Sequence, residues 1–383
     1  MTQWRYLEPL DVLYLRGNRL FEGAGAHAEA LMAPWPSLVA GALRSRMLVD
    51  AGADLGRFAA SEGLDDPELQ GVLGTPAQPG SFRVTHFTLA RALAAGVEPC
   101  LPLPADLVAS EGTGGLAVGQ LHPAPLPVAT STTLPLAPVL RQAGRGKPAG
   151  GYWLDAAGWR AYVAGEPVSA GHLVPKSSLW EEDPRLGIAL DGTRGTTGEG
   201  MLYTAEAVAL RSGVGFLVGV GGAPGRLPAS GLLRLGGDGR GSAVRPAAVP
   251  WPDPDWAAID RDRRLRLVLT TPGLFPQGWR LPGVAADGTW HGPDGLTGRL
   301  ACAAVPRAAV VSGWDLAARR PKAAQRVVPA GAVYWLDRLQ GDAAALGKLA
   351  GEGLWALMRE DEQDAQRRAE GFNGVQIAAW PTD

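Results

Sequence analysis

Near the end of each half of this chain, a glycine-rich loop leads into an apolar strand. The first stretch runs Gly231-Leu232-Leu233-Arg234-Leu235, then Gly236-Gly237-Asp238-Gly239-Arg240-Gly241, then Ser242-Ala243-Val244. The second runs Arg367-Arg368-Ala369-Glu370, then Gly371-Phe372-Asn373-Gly374, then Val375-Gln376-Ile377-Ala378-Ala379-Trp380. Each reads as helix, loop and strand. Glycine removes the Cβ clash and accepts positive φ, so backbone N–H groups in such a loop can crowd around an anion. A tight turn explains either loop alone. Their matching positions add a second reading, two related domains that each offer a phosphate-sized cradle.

The length of 383 residues suits two such domains, and 46% hydrophobic against 19% charged residues is enough to bury sizeable cores. With 53 glycines and 32 prolines, long insertions between elements are expected. The formal net charge of −2 gives no overall basic field for nucleic acid. Lysine stands only at 147, 176, 322 and 348, so most of the 36 basic residues are arginine. Arginine suits phosphate forks and base stacking, but a GC-rich genome gives the same bias and is the simpler cause. Cys100 and Cys302 form no CxxC, which leaves no zinc knuckle or disulfide framework. The start lacks a signal-peptide core and no apolar run approaches the ~18 residues of a span, so a cytoplasmic protein without a membrane partner is expected.

Residues 4–10 read as a strand and Arg16-Gly17-Asn18-Arg19 as a loop. Pro36-Ser37 starts a helix to about 50, and 82–89 alternates like a strand. Residues 110–150 read as an extended insertion and 155–163 as a short helix. Strands at 186–190 and 201–210 flank a turn, and 214–220 is a further strand. Prolines crowd 246–258, the best linker. Beyond it, strands are predicted at 265–271, 302–311, within 326–339 and at 375–380, with a helix at 343–358. That order is a ferredoxin-like split βαβ, and the first half can be read the same way with insertions. The predicted fold is α+β: two ferredoxin-like (RRM-like, βαββαβ) domains at 1–245 and 261–383, joined by a linker at 246–260.

Candidate chemistry is sparse. Arg261, Arg263, Arg264 and Arg266 outnumber Asp262, and five basic residues between 307 and 326 face only Asp315. Such clusters neutralise phosphates or simply line a solvated strand edge. Trp279 and Trp314 could stack on bases, although most of the 13 tryptophans should be core. Gly236-Gly237-Asp238-Gly239 lacks the second carboxylate of a two-metal GGDD turn. The histidines at 27, 86, 122, 172 and 291 show no HxH or HExxH spacing, and neither a phosphate loop nor a nucleophile elbow is present. No catalytic residue, metal or cofactor is expected.

Pro9-Leu10-Asp11-Val12-Leu13-Tyr14-Leu15-Arg16-Gly17-Asn18-Arg19, with Trp35-Pro36-Ser37 and Gly41-Ala42-Leu43-Arg44-Ser45, resembles the start of the third Cmr subunit of type III-B CRISPR effector complexes. The likeness continues through 185–191, Gly200-Met201-Leu202-Tyr203, 269–275, Gly278-Trp279, Ser312-Gly313-Trp314-Asp315, Pro321-Lys322 and 326–331. The resemblance implies a RAMP-superfamily protein of antiviral defence that binds the 5′ repeat-derived handle of the CRISPR guide RNA. Its partners would be that RNA, the large polymerase/cyclase-like subunit and a backbone subunit. It implies a non-catalytic role, because target cleavage belongs to a neighbouring subunit. The alternatives are a metal-independent endoribonuclease that processes guide RNA, and a structural adaptor without RNA contact. The candidate RNA-binding residues are Arg16, Asn18, Arg19, Gly236, Gly237, Gly239, Arg240, Gly371, Asn373 and Gly374. A hairpin thumb would include Arg185, Gly187 and Arg194.

Overall fold

The computed structural model describes residues 2–15, 27–28, 31–94, 96–112, 114–128, 130, 132–141, 147–190, 197–315 and 317–381. The fold is α+β, with two main sheets. In the first, Arg83–Leu93, Val214–Gly221, Gln3–Pro9 and Gly241–Pro246 lie side by side, all antiparallel. In the second, Thr297–Ala304, Val333–Gln340, Leu265–Leu269 and Val375–Ala379 do the same. Counted along the chain, both quartets have the spatial order second, third, first, fourth. That order makes the first and second strands parallel to each other, so each quartet needs long crossover connections.

The crossovers differ. In the first half the helix Ser37–Asp50 makes one of them, burying Val39, Ala40, Leu43, Met47 and Leu48 against the sheet core. The other, 222–240, contains no α-helix, only a 3-10 turn at Gly237–Gly239. Gly231–Arg234 is a strand paired with Gly241–Pro246, with Leu232 opposite Ala243. This corrects the helical reading of Leu232-Leu233-Arg234-Leu235: a short apolar run fits helix and strand equally, and hairpin pairing decides. In the second half the predicted helix at 343–358 is broken into 3-10 turns around Gly347–Glu352. Gly347, Gly351 and Gly353 fall inside that segment, and each weakens a helix interior.

The insertion is ordered rather than irregular. Leu107–Gly112, Gly115–Ala124, Ala137–Leu140 and Lys147–Pro148 form a four-stranded sheet. Its Leu107 and Ala109, with Trp159 and Tyr162 of the helix Ala156–Ala164, share a core with Val268, Val333 and Trp335 of the second sheet. At its centre Arg266 and Asp106, both fully buried, pair at 2.9 Å. The proline-rich stretch ends in a helix, Trp256–Asp262, where Asp255 accepts from Ala258 N beyond the last proline. Trp251 within that stretch donates to Gln376 Oε1 at 2.7 Å, which ties it to the final strand.

Candidate nucleic-acid interface

A groove of about 1280 Å³ runs between the two halves. One wall is the helix Ser37–Asp50, presenting Arg44 and Ser45, together with Tyr14 and the hairpin turn 236–238. The other is built from Gln366, Arg367 and Glu370 and from a two-stranded finger, Trp314–Asp315 with Arg320–Pro321, extended by Lys322. The first glycine-rich loop and the residues just before the second therefore face each other.

The first loop is a tight hairpin. Leu235 N donates to Arg240 O, and Gly236, Asp238 and Gly239 all take positive φ. Gly237 N donates to Tyr14 O, and a Cβ on Gly236 would stand 3.0 Å from that same carbonyl. Arg240 is held on this turn by Asp11 at 2.6 Å and lies 5.2 Å from the Tyr14 ring centroid. An anion approaching Arg240 would compete with Asp11.

The second loop is spent inside the protein. Asn373 is fully buried; its Oδ1 accepts from Leu274 N and its backbone N–H donates to Pro272 O. Gly374 N donates to Thr271 Oγ1, which in turn donates to Gly371 O. A Cβ on Gly371 would meet Val84 of the first half at 2.8 Å, so this loop is a joint between the halves. Gly371, Asn373 and Gly374 do not line the groove.

Glu370, just before that joint, is the electrostatic centre of the wall. It accepts from Lys322 at 2.6 Å and from Arg367 at 3.0 Å. Arg367 also donates to Gln325 and to Ser312 O, which fixes the base of the finger. Across the groove, burial pushes the Arg44 guanidinium pKa down, with the Glu370 charge opposing.

Arg16, Asn18, Arg19 and Arg194 lie outside the described residues. Arg185 and Gly187 sit on an antiparallel hairpin, Trp180–Leu190 with Thr197–Leu210, where Gly187 is opposite Tyr203. Arg185 pairs with Asp183 at 2.9 Å, and its pKa is raised first by that bond and, less, by a bond to Tyr14. The cluster near 262 is internally neutralised: Arg261 pairs with Asp262, Arg263 with Asp260, and Arg266 is buried on Asp106. Trp279 is exposed away from the groove, whereas Trp314 lines it. Among the described residues, no group of three or more His, Cys, Asp or Glu is placed to hold a metal ion, and no helix is long and apolar enough to cross a membrane.

The family model of a CRISPR-associated protein, Cas_Cmr3, matches residues 5–380. Among solved structures, this chain is similar to one in the type III-B Cmr-beta bound to cognate target RNA and AMPPnP: identity 13%, TM-score 0.53, 97% of this chain and 96% of that one covered. It is also similar to one in the type III-B Cmr-beta bound to cognate target RNA, at 14% identity and TM-score 0.51 over the same shares of both chains. At such identities the likeness is one of fold. No curated protein matches the sequence.

Proposed function

The chain belongs to the Cas_Cmr3 family of CRISPR-associated proteins, and from that premise we propose that it is a non-catalytic, guide-RNA-binding subunit of a type III-B CRISPR effector. In this reading it holds the 5′ repeat-derived handle in the groove between its halves. It docks there against the large polymerase/cyclase-like subunit and a backbone subunit, in cytoplasmic antiviral defence. The shared strand order supports two ferredoxin-like halves, and the hairpin beside Tyr14 supports a thumb at the groove's edge.

One observation carries the reading. The groove joins the first glycine-rich turn to the segment leading into the second, and beside four carboxylates it holds Arg44, Arg320, Lys322 and Arg367, of which Arg44 and Arg320 have no ion pair among the described residues. Binding is then local, through a few phosphates, rather than a response to overall charge.

Ultraviolet crosslinking of the assembled ribonucleoprotein tests the channel: guide-RNA adducts should fall on peptides covering 236–240 and 312–322. Adducts confined to other surfaces would overturn it. Incubation of the pure chain with repeat RNA in EDTA tests the non-catalytic assignment. Intact RNA is expected, and specific cleavage would replace this reading with the processing nuclease.

A further inference from the structure

Four cations and four carboxylates line the groove, but among the described residues only one of those carboxylates, Glu370, pairs with a cation. Glu370 already bonds Lys322 and Arg367, yet its charge also acts on Arg44. Of the other acids in the groove, Asp364 caps its helix through Arg367 N and Asp315 accepts from Ala318 N, while Asp238 sits at the hairpin turn. Among the described residues Arg44 has no hydrogen bond or ion pair, although it is half-buried. A desolvated guanidinium carries five donors in a planar fork, and leaving them unmet is costly. The fork matches a phosphate.

Trp314 supplies the complementary chemistry. It is 56% exposed at the start of the finger, opposite Pro321, and faces the groove without a ring partner among the described residues. A tryptophan left in water forfeits apolar burial, but its flat face is a platform for a nucleobase. The groove also exceeds the roughly 300–1,000 Å³ of a small-ligand pocket and suits a stretch of polymer.

We infer that Arg44 and Trp314 form a nucleotide subsite, Arg44 binding one phosphate of a single-stranded RNA and Trp314 stacking on an adjacent base. The subsite rests on the reading of the groove as the RNA channel. Glu370 holds Lys322 and Arg367 in place beside the subsite.

The test is a titration of labelled guide RNA with the full chain and its partner subunits at several salt concentrations. It compares Arg44→Gln, Trp314→Ala and Trp314→Phe, with thermal melting to confirm folding. Arg44→Gln should weaken binding about tenfold and shallow the slope of log K against log salt by ~0.7. Trp314→Ala should weaken binding about tenfold with the slope unchanged, and Trp314→Phe should recover most of the loss. Wild-type affinity in both Arg44→Gln and Trp314→Ala, with crosslinks still in the groove, would overturn the subsite and leave the channel standing. A loss in Arg44→Gln alone would overturn the base contact and leave a bare phosphate site. Absence of groove crosslinks in the wild type would overturn the channel and the subsite together.

Discussion

At the scale of single residues, the most consequential contact is a fully buried ion pair. Arg266 donates to Asp106 at 2.9 Å, to Tyr162 O at 2.7 Å and to Ala379 O at 2.9 Å, and lies 4.0 Å from the Tyr162 ring centroid. Asp106 also accepts from the Tyr162 hydroxyl and from Gln120. Burial, more than the neighbouring Asp106, pushes the Tyr162 pKa up, so the hydroxyl stays a donor. Removing one partner of a buried pair strands the other charge, at about 3–5 kcal/mol. We expect Asp106→Ala to lower stability by that order in urea unfolding, and an apolar replacement of both Asp106 and Arg266 to recover much of it. His86 offers a pH handle. Packed against Trp4 and Trp251, which stack on each other, it has its pKa lowered by burial to about 4. The unfolded chain takes up a proton there near pH 6.5 while the folded chain does not, so stability should fall as pH drops from about 6.5 to about 4. His86→Leu should flatten that slope in melts across the range.

At the scale of elements, the two glycine-rich loops separate by what a side chain would strike. Gly239 has φ +62 but open surroundings: a Cβ added there would stand 3.5 Å from the flexible Arg234 side chain. Gly371 has φ +90, and a Cβ there would fall within 3 Å of both backbone and side chain of Val84. Gly239→Ala should therefore cost only the backbone term, about 1–2 kcal/mol. Gly371→Ala should cost distinctly more, read as the difference between the two melting temperatures. The helix–loop–strand order around 371 was legible because Asp364, Arg367 and Arg368 mark a capped short helix before an apolar run. The order around 236 was not, since Leu232-Leu233 carries no period that distinguishes helix from strand. The sheet at 107–148 was hidden for a related reason: Ala109, Gly112, Gly115 and Gly119 blur the alternation that marks a strand. The candidate site was less legible still. Trp314 and the basic run after it, Lys322 included, could be noticed locally, but Arg44 and Glu370 come from distant segments, and only the fold makes them neighbours of that run.

At the scale of the whole molecule, modest charge and divided walls set the binding behaviour. We expect the isolated chain to bind handle RNA weakly and the pair with the large subunit to bind it markedly tighter, because each surface raises the effective concentration at the next. Tight, sequence-specific binding by the lone chain in a labelled-RNA titration would contradict this. The core shared by the insertion and the second sheet reaches into the genetics of the chain. Because Asp106, Trp159 and Trp335 fix how the halves meet, the groove's spacing is decided in the interior. A screen for alleles that shed guide RNA should return two kinds. Substitutions at Arg44 or Trp314 would fail at any temperature, the Arg44 defect being largest at low salt. Substitutions at Trp335 or Asp106 would touch no RNA, yet fail on warming, and second-site suppressors of these would map across the joint in the opposite half.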